Sequence, residues 1–482
     1  MKKIKLPDKV KKLINTFQQA GFEIYLVGGS ARGLITGHKI ADWDFATNAS
    51  PEEMLKLFPK NSFYHNQFGT VSIVMGPKKD DVLEVTTYRT ERGYSDRRRP
   101  DKVTWGKTVE EDLSRRDFTI NAIAIKLKTQ NSKLKIETII DPFEGQKDLK
   151  KKVIRAVGDP NKRFQEDALR LLRAVRIATQ LGFVIEPKTF TSIQKNAFLI
   201  QEIAWERIRD ELLKLLASRH PADGILLLYN SGLLKYILPE LLEARGVAQA
   251  KHHIYDVWTH LIESLRYCPS KDPIVRLATL LHDIGKPATA KGEGEERTFY
   301  NHEVVGAIMV KKIGRRLRLS NRQLDRLWRL VRWHQFTPNE NQTDKAIRRF
   351  IRRVGQENLQ DILDVRVGDR LGSGVPRTSW RLELFKKRLA EVQKQPFSVK
   401  DLKVNGHDVM TILKIKPGPM VGKILQALFE EVEDNKEKNQ RQYLLSRIPE
   451  IYQQLNPHNH RRQRAAIECQ TTKRGVAVKV EE

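Results

Sequence analysis

The sequence predicts a small α/β head followed by an all-helical body. Three observations carry that expectation. Residues 1 to about 150 alternate short apolar runs with turns, and VSIVM (71–75) and VLEVTTY (82–88) read as strands. From about residue 151 the pattern turns helical, with long amphipathic segments rich in Leu, Arg and Lys and no strand-like run of comparable quality. A chain of 482 residues is also too long for one compact core.

Composition narrows the class. Hydrophobic residues make up 40% of the chain, enough for globular cores. No apolar run reaches the roughly 18 residues of a membrane span, so none is expected. The opening MKKIKLPDKVKKLINTF reads as a basic amphipathic helix, because no apolar core or small-residue cleavage site follows. The two cysteines, Cys268 and Cys469, lie far apart without zinc-ligand spacing, which fits a reducing cytoplasm. The formal charge of +28 points to a polyanionic partner, RNA or DNA first.

The most informative stretch is YLVGGSARGLITGHKIADWDFAT. It reads as strand, glycine turn at Gly28-Gly29, short helix, then a second strand carrying Asp42 and Asp44. Residues i and i+2 on a strand share a face, so the two carboxylates would project together and Trp43 would turn into the core. Paired carboxylates are hard ligands for Mg²⁺. A glycine turn opening a helix offers backbone amides to a triphosphate. Together they suggest a metal-dependent enzyme acting on a nucleoside triphosphate. Glu84 lies mid-strand in VLEVTT. Two readings stand for it: a third acid facing Asp42 and Asp44, or a solvent-facing residue on a half-exposed strand.

The stretch EEDLSRRDFTINAIA follows. Arg115 and Arg116 would neutralise triphosphate charge. Asp117 would orient one of them or contact the ribose, and Asn121 would hydrogen-bond the sugar or cap the turn. The rival reading is a surface helix start with a local ion pair. TINAIAIKL extends the sheet or covers it. Between these blocks YRTERGYSDRRRPDKVTW reads as a flexible basic loop. Asp141, Gly145 and Asp148 fall in a turn-rich link to the helices.

In RFQEDALRLLRAVRIATQLGF, Asp167 and Arg170 are three apart, which predicts one helical face. They form a surface ion pair, or they read a base. Cytosine and adenine both present an amine donor beside a ring-nitrogen acceptor. An acceptor (Asp167) beside a donor (Arg170) therefore suits C and A and rejects G and U. Arg173 and Arg176 continue the stripe toward phosphates.

With these residues in place, the chain resembles the bacterial-type (class II) tRNA nucleotidyltransferases, the CCA-adding enzymes, which share their core with bacterial poly(A) polymerases. The matching stretches are GGSAR, DWDFAT, RRDFTINAIA, DPFEGQKDL, EDALRLLRA and ERIRDELLKLL, in family order over roughly the first half of the chain. The resemblance implies a polymerase-beta-like nucleotidyltransferase head with Mg²⁺ on Asp42 and Asp44. It implies nucleotide contacts from Gly28, Gly29, Arg32, Arg115, Arg116 and Asp117, and base reading by Asp167 and Arg170. Arg207 and Glu211 would support them. Expected substrates are tRNA, CTP and ATP. One departure is Gly33, where the family usually has an acid or amide, which leaves the local support of Arg32 open. The poly(A) polymerase relatives carry a GRRF-type basic strand; NSFYHNQFGTVSIVM resembles the tRNA enzymes instead. The intact basic loop favours full CCA addition over CC addition alone, and A addition stays open.

The second half holds HHIYDVWTHL, LLHDIGKP, FYNHEVVGA, VRWHQF and RVGDRLGSG, with His and Asp recurring on separate helices as a bundle-core metal site requires. HDIGKP resembles the HD-domain phosphohydrolases. That resemblance implies His260, His282, Asp283 and Asp369 as ligands of one metal, with His302 and His334 for a second metal or phosphate. Mn²⁺, Fe²⁺, Co²⁺, Ni²⁺ and Zn²⁺ all suit such donors. The expected reaction is removal of cyclic or terminal phosphate from RNA ends; a metal-free relic is the alternative. Downstream, Gly418 and Gly422 in KPGPMVG would let a helix N-terminus approach RNA phosphates, or merely punctuate a helix start.

The expected division is a head at 1–150, a nucleotide-selecting and RNA-binding neck at 151–245, an HD domain at 246–375, a tRNA-binding helical segment at 376–455 and a mobile basic tail at 456–482. Softer breaks fall near Pro187 and Gly246. A rival class is an HD hydrolase whose head is only an RNA platform, but a platform needs no metal acids. A non-catalytic RNA-binding protein is disfavoured by the complete sets at both sites.

Overall fold

The computed structural model describes residues 6–38, 40, 42–64, 69–78, 81–92, 102–130, 133–249, 254–336, 339–393, 399–434 and 436–456. The nine head strands are β1 (Ile24–Val27), β2 (Asp44–Thr47), β3 (Ser62–Tyr64), β4 (Thr70–Val74), β5 (Val82–Thr87), β6 (Arg89–Arg92), β7 (Lys102–Trp105), β8 (Ala124–Gln130) and β9 (Lys133–Ile140). Seven of them form a mixed sheet in the order β3-β4-β5-β2-β1-β8-β9. The β2–β5 pair is parallel, with Asp44 opposite Glu84. The neighbouring β1–β2 and β4–β5 pairs are antiparallel. β5 alternates buried Leu83 and Val85 with outward Val82 and Glu84, as a half-buried strand must. One face of the sheet packs Tyr25, Val27 and Ala46 against Tyr88, Leu113 and Val157.

The expected amphipathic N-terminal helix forms over Asp8–Gln19 and buries Val10, Leu13, Ile14 and Phe17. TINAIAIKL extends the sheet, one of the two expected outcomes: β8 pairs with β1 after a 3-10 turn at Thr119–Asn121. The basic segment after residue 88 is not simply a loop. Its ends pair as β6 and β7 in a separate two-stranded ladder, while residues 93–101 lie outside the described residues. Asp141 accepts hydrogen bonds from the backbone of Gly145 and Gln146 and so stabilises the start of the helix Gly145–Lys151. Beyond it, the one sheet among the described residues is a two-residue parallel pair, Val153–Ile154 with Val184–Ile185.

Helices then dominate. Two compact units result: residues 1–336 with 357–377, and residues 337–356 with 378–482. In the first unit the helices Val257–Tyr267 and Leu359–Gly372 pack closely through glycine. A Cβ at Gly368 would sit 2.7 Å from the Ser264 carbonyl, and one at Gly372 would sit 2.5 Å from the Ser264 nitrogen. That approach brings His260 and Asp369 to one centre.

The second unit has its own core. Val409, Ile424, Leu428, Val432, Leu444 and Ile448 meet between the helices Gly406–Leu413, Pro419–Asp434 and Arg441–Leu455. Gly418 precedes the middle helix and Gly422 lies in its first turn. Of the expected tail at 456–482, all but Asn456 lies outside the described residues. Among the described residues no helix is long and apolar enough to cross a membrane.

Candidate active site and metal centre

The head site starts at the junction of β1 and the helix Gly28–Thr36. Gly28 takes φ +61°, a left-handed conformation that glycine adopts cheaply. A Cβ there would stand 3.1 Å from Arg116 Nη1 and 3.6 Å from Asp44 Oδ2, so the missing side chain makes room for a cation and an anion. The buried Ser30 hydroxyl donates to the Asp42 carbonyl at 2.7 Å and accepts from the Asp44 amide at 2.9 Å. This clamp holds both acid-bearing residues to the helix.

Asp44 opens β2, and Asp42 lies in the bend before it. A cavity of about 560 Å³ is lined by Asp42, Asp44 and Glu84, by Gly29, Arg32 and Asn121, and by Arg173 and Arg176. Trp43 also lines it and is only partly buried, so the expectation that Trp43 turns into the core is wrong. Asp42 sits before the regular strand, where strict alternation does not hold. Glu84 is an exposed residue and a cavity residue at once. Burial pushes the Asp44 carboxyl up to about 6, with Glu84 and Asp42 adding and Arg116 opposing. A partly buried cluster of acids of this kind fits a hard divalent cation.

The arginines are held differently from the expectation. Arg115 and Arg116 end the helix Val109–Ser114 and both bind Asp112, a fully buried acid that the sequence reading passed over. Arg115 Nε lies 2.9 Å from Asp112 Oδ1, and Arg116 Nη2 lies 2.9 Å from Oδ2. Burial disfavours charge on Asp112, but the two guanidiniums overcome it and lower its carboxyl below the usual range. Asp117 therefore orients neither Arg115 nor Arg116. It accepts from Arg173 Nη2 at 2.6 Å and from Asn121 Nδ2 at 3.0 Å. These partners outweigh burial and hold its carboxyl well below the usual range. Arg32 in turn donates to Asn121 Oδ1. The relay Arg32–Asn121–Asp117–Arg173 supplies the support that Gly33 does not. At Gly33 a Cβ would press on Ile40 at 2.9 Å.

Asp167 and Arg170 do not share a helix. Asp167 is extended (φ −138°, ψ 103°) between the helices Pro160–Glu166 and Leu169–Leu181. At this break the Asp167 side chain accepts from the Leu169 amide at 3.0 Å, a local bond that suits the extended turn. Its ion-pair partner is Arg207 Nη2 at 3.2 Å. Arg170 is buried and instead binds Glu166 at 2.6 Å and the Arg115 carbonyl at 3.0 Å. Arg176 binds Glu211 and Gln180. Arg207 and Glu211 both come from the helix Trp205–Leu216.

The second centre lies in the helical body. His260 comes from Val257–Tyr267, and His282 with Asp283 follow Pro273–Leu281. His302 opens His302–Arg316, His334 follows Asn321–Arg332, and Asp369 lies on Leu359–Gly372. Asp283 is buried at the middle. Its Oδ2 is 3.3 Å from both His260 and His282 Nε2. Its Oδ1 is 3.1 Å from His302 and 3.4 Å from His334 Nε2. Asp369 Oδ1 is 3.5 Å from His260 Nε2. Two donor groups thus share Asp283: His260 with His282, and His302 with His334.

The ring tautomers suit metal binding. Nδ1 of His282, His302 and His334 lies 2.8, 2.8 and 2.7 Å from the carbonyls of Thr279, Phe299 and Val331. Nδ1–H donates there and leaves each Nε2 for the centre. Burial opposes charge on His282, yet Asp283 and Asp369 raise it to about 10, so the field at this point favours a cation. Gly285 makes the approach possible, since a Cβ would stand 2.2 Å from the His302 carbonyl. Lys286, a second residue missed from sequence, donates to Asp283 at 2.6 Å and to Gln249 at 2.6 Å. Arg366 holds Asp369 at 2.8 Å. The centre opens into a cavity of about 450 Å³ with Arg297, Tyr300 and Arg370 on its wall.

Comparison with known proteins bears on both centres. Residues 24–155 match the Poly A polymerase head domain, residues 182–245 the probable RNA and SrmB- binding site of polymerase A, and residues 251–372 the HD domain. The CCA-adding enzyme of Limosilactobacillus reuteri is 32% identical over 449 residues, 92% of this chain and 96% of that protein. The chain belongs to the CCA-adding enzyme family. Within this family of nucleotidyltransferases, the A-adding tRNA nucleotidyltransferase of Deinococcus radiodurans is 35% identical over 425 residues, 84% of this chain and 90% of the relative. The crystal structure of the Bacillus stearothermophilus CCA-adding enzyme in complex with CTP superposes with a TM-score of 0.68 at 28% identity, covering 94% of this chain and all of that one. The head with its mixed sheet and the helical body with its HD domain are those of CCA-adding enzymes.

Proposed function

We propose that this member of the CCA-adding enzyme family adds CCA, without a nucleic-acid template, to the 3′ end of tRNA from CTP and ATP. The observation that carries the reading is the single cavity lined by Asp42, Asp44, Glu84, Arg32, Arg173 and Arg176. It sets acids for a metal beside cations for a triphosphate. Magnesium bound by Asp42 and Asp44 would supply polarisation of the attacking 3′-hydroxyl and charge neutralisation of departing pyrophosphate. The chain itself orients and excludes. Arg116 stands beside Asp44, fixed by Asp112, and the Arg32–Asn121–Asp117–Arg173 relay holds two more guanidiniums at set positions. In-line nucleotidyl transfer needs such positioning more than covalent help. Asp167 and Arg170 are proposed to read the base, with Arg207 fixing Asp167. The proposed segments are a head at 1–150, a neck at 151–245, an HD domain at 246–375, a tRNA-binding segment at 376–455 and a tail at 456–482.

The test is incubation with Mg²⁺ and a tRNA transcript ending at the discriminator base, with CTP and ATP supplied singly and together. Growth by CCA, stopping there, is expected. The similarity to an A-adding enzyme supports a second reading, which would show as A addition to CC ends only. The HD centre is proposed to bind a divalent transition metal and to remove cyclic or terminal phosphate from RNA ends. Its donor set and tautomers support this reading, and phosphate release from a 2′,3′-cyclic-phosphate RNA tests it.

A further inference from the structure

Three guanidiniums line the transferase cavity, and each is committed to a protein partner: Arg32 to Asn121, Arg173 to Asp117, and Arg176 to Glu211 and Gln180. A fourth cation on the cavity wall, Lys214, is placed differently. It lies near the C-terminus of the helix Trp205–Leu216, and its side chain is 61% exposed, against 34% for Arg173 and 13% for Arg176. Its ammonium lies 3.9 Å from Glu211 Oε1, while the other oxygen of Glu211 is taken by Arg176. An exposed pair that long contributes little and is readily exchanged.

The root of this lysine is nevertheless fixed. Its backbone carbonyl accepts from Gln180 Nε2 at 3.3 Å, and Gln180 Oε1 accepts from Arg176 at 2.6 Å. Lys214 thus has an anchored backbone on the same brace that holds Arg176, and an exposed ammonium at the solvent edge. A nucleoside triphosphate is small enough to enter among the committed guanidiniums. An RNA acceptor is a polymer, and its last phosphates must lie where the cavity meets solvent. We infer that Lys214 binds a backbone phosphate near the 3′ end of the RNA acceptor, a specificity that rests on the transferase reading above. The shared chemistry is a phosphate oxygen, and the triphosphate tail is the competing source.

The test compares wild type, Lys214→Met and Lys214→Arg, measuring KM for tRNA, CTP and ATP separately over a salt series. Because the side chain is mostly exposed, all three should melt alike. Lys214→Met should raise the tRNA KM about ten-fold, the loss expected for one charge-assisted contact, with nucleotide KM values and kcat within about two-fold. Its salt slope should fall by about 0.7, the share of one single-strand phosphate. Lys214→Arg should restore most of both. A rise in nucleotide KM with an unchanged tRNA KM would overturn the inference and assign Lys214 to the triphosphate. No change in any KM would overturn it too, leaving a solvated lysine. A wild-type protein that adds no nucleotide would refute the transferase reading itself, a result visible before any variant is made.

Discussion

The two acidic centres of this chain are built on opposite plans. In the body, four imidazoles and two carboxylates converge from five helical segments, and each oxygen of the shared Asp283 faces its own pair of histidines. The donors are in place and their tautomers are set by neighbouring carbonyls. In the head, Asp42, Asp44 and Glu84 line the cavity, and the order comes from arginines tied to buried carboxylates, Asp112 and Asp117. The first plan prepares a site for a small ion. The second prepares a charged cradle that would suit a larger anion such as the triphosphate proposed above. The contrast teaches that carboxylates serve different sites according to whether imidazoles or guanidiniums are packed around them.

Four substitutions would break or sharpen this contrast. The largest effect should come from Asp44→Ala. Nucleotide incorporation should fall by about a thousand-fold or more, because a metal clamp supplies several kcal/mol of transition-state stabilisation. Metal bound at the HD centre, measured by elemental analysis, should stay unchanged; incorporation at the wild-type rate would end the transferase assignment of that acid. His282→Ala should do the reverse. Metal affinity at the HD centre should drop by about a hundred-fold or more, beyond the loss typical for an outer partner of a ligand. Nucleotide incorporation should stay within about two-fold, and a parallel loss of transfer would show that the centres are not independent.

Asp112→Asn tests the cradle. It leaves two arginines without their buried anion and should destabilise by about 3 kcal/mol in a denaturant titration. The sign with pH follows from the lowered carboxyl. The stabilisation is fully present above the ordinary carboxylate range near about 4 and is lost as pH falls through the lower folded-state value. The variant should therefore lose less stability than wild type on acidification. Arg207→Ala should have the smallest effect. Freed from its 3.2 Å partner, Asp167 should read the base less strictly, and misincorporation of GTP or UTP should rise about ten-fold. Unchanged fidelity in a single-nucleotide incorporation assay would remove Arg207 from the selection apparatus.

Much of the site was legible because its chemistry is tied to local spacing. Asp42 and Asp44 beside a glycine turn, and the HD pair in LLHDIGKP, announce themselves within a few residues. What stayed hidden lies in partnerships across the chain. Asp112 looked like one acid among several in EEDLS, and nothing local marks it as the anchor of two arginines. Ser30 looked like part of a turn, yet it clamps residues 12 and 14 positions away. Asp167 and Arg170 misled in the other direction. Helical spacing places them together, but Asp167 is extended between two helices and its side chain bonds the Leu169 amide, so the helical periodicity breaks there. Trp43 failed for a related reason, since alternation holds only inside a regular strand and β2 begins one residue later.

The sequence by itself determined the α/β head, the helical body, the family and the residue types at both centres, because strand alternation, helical periodicity and motif spacing are local properties of the chain. Only the tertiary structure decided who pairs with whom. Each buried charge must find an opposite charge or a hydrogen bond wherever the packing brings one, and that partner is set by distance in space rather than by distance in sequence. Asp117 meets Arg173 across 56 residues and His260 meets Asp369 across more than a hundred for that reason.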